Sequence, residues 1–406
     1  MPSSDPPRSL QFALAGMVSL AVAMGIGRFA FTPLLPMMLA DGVVDLPTAS
    51  WLASANYLGY LAGALLCTFQ PWLWRRMGWP AAVNAPLLVR GGLVATALLT
   101  LGMWLPLPAT WPALRFAAGV ASAVVFVHTS GWCLAQLARL GAPAKGALIY
   151  TGPGGGIVVS GLAATLMVAW DWKAAWGWLA FALLAALLTA GIWQVFDPRG
   201  ERALAATSGT SRAPDGVTRS GTQMTLLALA YGLAGFGYII TATFLPVIAR
   251  QTLPGSPWLD MFWPIFGLGV ILGALTASRL GAGGDMRLRL ALCYGVQALG
   301  IAASLVSPTL AGFAVGSLLL GLPFTAITFF ALQEVRRLRP AQAPSFIGLI
   351  TATYGVGQIV GPPLAAALVA RSVSAAQGFE LSLQIASGAL GMGALLYVGM
   401  ARAFPR

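Results

Sequence analysis

The sequence predicts an all-α membrane protein, with twelve transmembrane helices in two pseudosymmetric six-helix bundles. Three observations carry that expectation. Of the 406 residues, 58% are hydrophobic and only 8% charged, with a mean hydropathy of +0.81, whereas about a quarter of a soluble chain is charged. Polar or Pro/Gly-rich breaks then divide the chain into twelve apolar stretches of spanning length; a backbone crossing lipid must satisfy its own hydrogen bonds, so each is read as a helix. Finally, the second half of the chain matches the first when the two are slid against each other.

The stretches run from 10–40, 48–70, 82–104, 111–137, 145–169 and 174–196 in the first half. The first carries MGIGRFAFTPLLP (Met24 to Pro36), an apolar run interrupted by Gly25, Gly27, Pro33 and Pro36 and holding one cation, Arg28. Residues 10–23 have the layout of a signal peptide. Cleavage there would leave Met24 to Ala40, too short for a comfortable span, so they are read as part of the first helix. The second stretch adds Asn56 and Tyr60, the third Arg90 about two turns inside, and the fourth Arg115 and His128. The sixth is almost wholly apolar and should face lipid.

Residues 197–221, DPRGERALAATSGTSRAPDGVTRSG, are too polar to bury and read as a flexible linker. The second half follows as 222–249, 258–280, 286–306, 309–333, 345–370 and 379–401. The domains are therefore 1–196, the linker 197–221, and 222–406. At an offset of 210, Gly25, Gly27, Leu35 and Pro36 fall on Gly235, Gly237, Leu245 and Pro246, and Gly59, Gly63, Ala64 and Leu65 on Gly269, Gly273, Ala274 and Leu275. At 202, Gly146, Thr151, Gly155, Ile157 and Val158 meet Gly348, Thr353, Gly357, Ile359 and Val360. That pattern is a six-plus-six parallel duplication.

Charge sets the orientation. With the N-terminus inside, the even-numbered loops and both termini hold 17 Lys and Arg residues, against Lys173, Arg250 and Arg371 on the other side. Both termini are thus expected in the cytoplasm, and the net charge of +12 needs no nucleic-acid partner. Trp51, Trp111, Trp172 and Trp258 fit an aromatic belt at the outer helix ends. Cys67, Cys133 and Cys293 lie in apolar segments without ligand spacing and read as buried thiols, not metal sites or disulfides. No nucleotide loop, cofactor motif or catalytic cluster appears, so neither an enzyme nor an ATP-driven pump is expected.

An arginine in hydrocarbon costs at least ~2.5 kcal/mol and marks a functional-site hypothesis that needs a partner. Gly25 and Thr32, at i−3 and i+4, share the face of Arg28 and leave room beside it. The repeat sets Tyr238 against Arg28, with Tyr231 and Thr241 on the same stripe. Asn56 and Tyr60 stand at i and i+4, and Thr351, Tyr354 and Gln358 at i, i+3 and i+7. For these neutral groups a plain interhelical hydrogen bond is the competing reading. For Arg28 it is pairing with helix carbonyls or water, for Arg90 snorkelling, and for His128 neutral packing. None of the eleven acids is placed at membrane depth, Asp260 and Glu380 standing at the very ends of their stretches and Glu334 just past one, so no carboxylate relay is expected there.

With these features the chain resembles the major facilitator superfamily of secondary transporters along nearly its whole length. GIGRFAFTPLLPMM (Gly25 to Met38) is similar to the YbfB/YjiJ-type branch of bacterial permeases. After the second helix that superfamily has Asp-Arg-x-Gly-Arg; here Arg76-Met77-Gly78 fits the middle, while Arg75 and Trp79 replace the ends. Arg115, Gly119 and Ala123 match Arg-x-x-x-Gly-x-x-x-Ala, whose arginine the resemblance associates with coupling. Gly152-Pro153-Gly154-Gly155-Gly156 is a compressed form of the antiporter Gly-Pro-x-x-Gly-Gly motif.

The resemblance implies a multi-pass protein of the bacterial cytoplasmic membrane, monomeric, without cofactor or metal, binding a small-molecule substrate between its halves, with protons as a candidate co-substrate. The expected binding residues are Arg28, Thr32, Asn56, Tyr60, Arg115, Tyr231, Tyr238, Thr241, Tyr354 and Gln358; those for coupling or gating are Arg115, His128, Arg76, Gly78, Gly152 and Pro153. A fixed cation facing phenols suits a carboxylate on an aromatic or aliphatic body. The alternatives are efflux of hydrophobic compounds, which predicts cationic substrates, and a ligand sensor without turnover.

Overall fold

The computed structural model describes residues 6–78, 84–197, 220–256, 258–280, 284–339 and 343–405. Most of the expected linker, Trp79, and the basic residues Arg199, Arg202, Arg212, Arg219 and Arg406 lie outside the described residues. Within them the regular structure is helical, and twelve helices are long and apolar enough to cross a membrane. They are spans 1 to 6, at Arg8–Ala40, Leu46–Gln70, Ala85–Gly102, Pro108–Arg139, Pro143–Ala169 and Ala174–Phe196. Spans 7 to 12 are Gly221–Thr252, Leu259–Leu280, Met286–Val306, Leu310–Leu338, Phe346–Arg371 and Ala375–Ala403.

Local chemistry starts the helices where the sequence changes character. Asp45, Asn84, Thr309 and Ser374 each accept a hydrogen bond from a backbone N–H of the first turn they precede, which satisfies a donor that would otherwise be orphaned. Span 1 is broken in the middle. It runs as α-helix to Leu20, as π-helix over Ala21–Ile26, and as α-helix again from Phe31. The N–H groups of Gly27 and Phe29 reach back five residues, to Val22 and Met24. Pro33 has no N–H to give the Phe29 carbonyl, and Thr32 N takes that carbonyl instead. The Arg28 carbonyl is thereby left without its helical donor.

Helix crossings repeat between the halves. A Cβ on Gly119 of span 4 would overlap the Asn56 carbonyl of span 2, and one on Gly321 of span 10 would overlap the Phe266 carbonyl of span 8. These are the residues that the 202 and 210 offsets relate to each other. Thr32 Oγ1 likewise donates to the carbonyl of Ala242, 210 residues on, at 2.9 Å. The Tyr57 hydroxyl meets Thr243 Oγ1 at 2.9 Å, and Ser54 Oγ donates to the Ile359 carbonyl at 2.8 Å. All three bonds join spans 1 and 2 to spans 7 and 11 on the side away from the Lys/Arg-rich loops.

Two expectations need correction. Glu334 is not outside the membrane-spanning segments: span 10 continues to Leu338, and Glu334 is fully buried in its last turns. The following arginines made this part of the sequence read as loop. Arg337 grips the carboxylate at 2.6 Å, with Arg287 at 3.9 Å. Arg287 also pairs with Asp285 and donates to the carbonyls of Met400 and Phe404, closing the end of span 12. Trp111 is not a belt residue. It is buried, and its indole N–H donates to the Leu105 carbonyl at 3.2 Å, because a 3-10 turn folds the preceding loop back over the helix start. Trp51, Trp172 and Trp258 are exposed, as are Leu183 and Leu187 on span 6.

Candidate functional site

Arg28 sits at the break in span 1 and is 4% exposed. Its Cζ lies 4.2 Å from the centroid of the Tyr60 ring and 5.3 Å from those of Tyr57 and Phe29. Aromatic faces attract a cation without neutralising it. Among the described residues no carboxylate pairs with Arg28, and its buried Nε and Nη2 have no hydrogen-bond partner. Those two atoms form one edge of the guanidinium fork. Elsewhere in this protein the same edge holds carboxylates: Arg287 gives Nε and Nη2 to Asp285, at 3.0 and 2.7 Å, and Arg337 gives them to Glu334, at 2.9 and 2.6 Å.

Spans 7 and 11 face this cation with tyrosines. The rings of Tyr231 and Tyr354 lie 4.7 Å apart, and those of Tyr238 and Tyr354 5.8 Å apart and nearly parallel at 23°. The Tyr231 hydroxyl donates to Thr328 Oγ1 at 3.0 Å, and Gln358 Nε2 donates to the Tyr238 hydroxyl. Tyr60 and Tyr354 keep part of their surface open, while Tyr57, Tyr238, Asn56 and Gln358 are buried. Thr241, one turn from Tyr238, is buried with its hydroxyl unpartnered. Thr32 turns to Ala242, and Asn56 Nδ2 donates to the Arg115 carbonyl at 2.9 Å.

Arg115 comes to the same place with a different task. Its Nη1 and Nη2 donate at 3.2 Å to the carbonyls of Gly27 and Arg28, and its Cζ stands 4.8 Å from the Phe31 ring. It thus supplies the donor that the break in span 1 removes. Arg115→Leu should lower the melting temperature, since an orphaned buried carbonyl costs about 1–3 kcal/mol. Thermal unfolding in detergent checks this; an unchanged melting temperature would free Arg115 from the role of brace.

Apart from Arg115, the expected coupling residues do not converge on this centre. His128 Nε2 lies 3.8 Å from Cys67 Sγ, between spans 4 and 2. Arg76 packs its Cζ 5.7 Å from Trp72 at the end of the helix that carries span 2, and Gly78 follows in the left-handed region at φ +71°. Pro153 follows an interruption of span 5 at Tyr150 and Thr151, after the short helix Gly146–Ile149. It stands in the first turn of the helix Gly152–Ala169, where its missing N–H costs little. Gly152 lets that helix meet the Met17 carbonyl of span 1, and Gly156 meets Gly25 backbone to backbone. Arg90, read as snorkelling, gives Nε and Nη2 to the Trp193 carbonyl at 3.1 and 2.7 Å.

Sequence reasoning missed Tyr57, Phe29 and Phe324. Tyr57 stands three residues before Tyr60 on the same helix and bore its own signal. Phe324, whose ring lies 5.0 Å from Tyr238 and 6.0 Å from Phe29, bore none, because nothing local ties span 10 to span 1.

The family described as "uncharacterised MFS-type transporter YbfB" matches residues 20–398. A chloramphenicol resistance protein of Streptomyces lividans is 27% identical over 369 residues, which cover 86% of this chain and 87% of the relative. Two crystal structures of the nucleoside transporter NupG, one of them of a mutant, share the fold at a TM-score of 0.69 each. They are 15% and 14% identical, covering 97% of this chain and 98% and 99% of theirs. The broken first span, the repeated crossings and the match over most of the chain agree: this protein belongs to the YbfB-type branch of the major facilitator superfamily of membrane transporters.

Proposed function

We propose that the protein is a secondary transporter that carries a small organic anion, with a carboxylate as its recognised group, by alternating access between the bodies 1–196 and 222–406. One observation carries this reading: the buried Nε/Nη2 edge of Arg28 is unpartnered, and it is the edge with which Arg287 and Arg337 hold carboxylates. A substrate carboxylate completes the charge pair that the protein leaves open. Binding residues are Arg28, Tyr60, Tyr231, Tyr238, Thr241, Tyr354 and Gln358, with Thr32, Asn56 and Arg115 shaping the site.

The distribution of Lys and Arg supports cytoplasmic termini, in keeping with a protein of the bacterial inner membrane. On that orientation the bonds Thr32–Ala242, Tyr57–Thr243 and Ser54–Ile359 join the two halves on the outer side. Protons travel with the substrate, and the transporter works as a monomer. Reconstitution into vesicles with radiolabelled carboxylates and cations, with and without a pH gradient, tests the reading. Carboxylate flux that rises with the gradient is expected; flux of cations alone would overturn it. A second reading, export, draws on the chloramphenicol resistance relative and on the Gly152-Pro153 cluster. It concerns direction, and the same vesicles loaded on either side decide it.

A further inference from the structure

We propose that the substrate body is aromatic: an aryl carboxylate whose acid group meets Arg28 and whose ring packs against the tyrosine wall of spans 7 and 11. This rests on the anion reading above and narrows it.

The wall consists of ring faces held in place from behind. Tyr231 is fixed by Thr328 and Tyr238 by Gln358, so each hydroxyl is engaged away from the ring face. Tyr354 lies across both, 4.7 Å from one ring and 5.8 Å from the other, and remains partly open. Phe324 braces Tyr238 edge-on at 63°, and Phe266 stands 6.0 Å behind Phe324. Rings with two torsions each, already ordered, cost little entropy when a ligand arrives.

The same centre includes the cation. Arg28 lies over Tyr60 and beside Phe29, and Phe324 joins Phe29 to Tyr238, with ring centroids 6.0 and 5.0 Å away. With the Tyr60 ring against its guanidinium, the open Nε/Nη2 edge is left to a ligand approaching from the side. An aliphatic acid would gain only the burial of its body here. A flat aromatic acid gains that and also the offset or edge-on attraction between rings, which increases affinity about 2- to 12-fold.

The test is ligand binding to the full chain in nanodiscs, using matched pairs: benzoate against cyclohexanecarboxylate, and phenylacetate against cyclohexylacetate, with benzyl alcohol as the ring without charge. Each aromatic acid should bind about 2- to 12-fold tighter than its saturated partner, and benzyl alcohol should not compete. Tyr354→Leu should erase the preference and Tyr354→Phe keep it, with thermal melting confirming that both variants fold. Equal binding within each pair by the unmodified protein would overturn the aromatic inference and leave the anion reading intact. Binding of benzyl alcohol without either acid, or failure of all four acids to bind, would overturn both.

Discussion

Arg28→Met should abolish carboxylate transport without lowering the melting temperature of the substrate-free protein. The two halves of that expectation have separate causes. A hydrogen bond to a charged group contributes about 1.5–3 kcal/mol, and the Nε/Nη2 edge offers two, so losing them weakens binding by at least about 100-fold. Stability moves the other way. A cation at membrane depth costs about 2.5–3.5 kcal/mol on the lenient scale, and a desolvated ring as close as Tyr60 returns about 2. Removing the charge therefore relieves more than it forfeits. Arg28→Lys should also transport poorly, because an ammonium lacks the paired edge. Flux in vesicles and melting in detergent are the two measurements. A melting temperature several degrees lower, with flux retained, would make Arg28 a structural brace. Arg115 supplies the contrast: it sits against the same segment of span 1, yet its Nη1 and Nη2 are engaged by the carbonyls of Gly27 and Arg28 and only Nε is left unpartnered.

That contrast marks where sequence reading stops. The apolar stretches, the break near Arg28 and the repeat were legible, since each follows from hydropathy, from Gly and Pro, or from self-similarity at 210 and 202. Both arginines read alike on paper, as cations in apolar helices. Only packing separates them, because the carbonyls that engage Arg115 are exposed by a π-helical register and by Pro33 on another span. Glu334 was hidden for a related reason. Its burial depends on Arg287, 47 positions earlier in the chain, approaching a helix end that looks like loop when read alone. Tyr238 and Tyr354 could be placed on the right faces from helical spacing, whereas their parallel stacking needs the crossing of spans 7 and 11, which the local sequence does not encode.

Gly119→Ala and Gly321→Ala should lower stability equally and affect transport unequally. Each added Cβ would run into a carbonyl oxygen on the facing helix, Asn56 in one case and Phe266 in the other. The obstacle is backbone in both, so no side-chain tip can swing away, and overpacking of this kind costs about 1–3 kcal/mol. The duplication makes the two lesions equivalents, and their melting temperatures should fall together. The helices displaced are not equivalent. Span 2 carries Asn56, Tyr57 and Tyr60, and Gly119 also crowds the backbone nitrogen of Tyr60, whose ring lies against Arg28. Span 8 reaches the site at one remove, through Phe266 and Phe324 to Tyr238 and through Trp263 to Phe29, 6.1 Å away. KM should thus rise several-fold more in Gly119→Ala than in Gly321→Ala, while the two melt alike. Unequal melting would show that the repeated crossings do not bear equal loads. Equal KM changes would move the substrate away from the Tyr60 face of span 2, toward the second half of the chain.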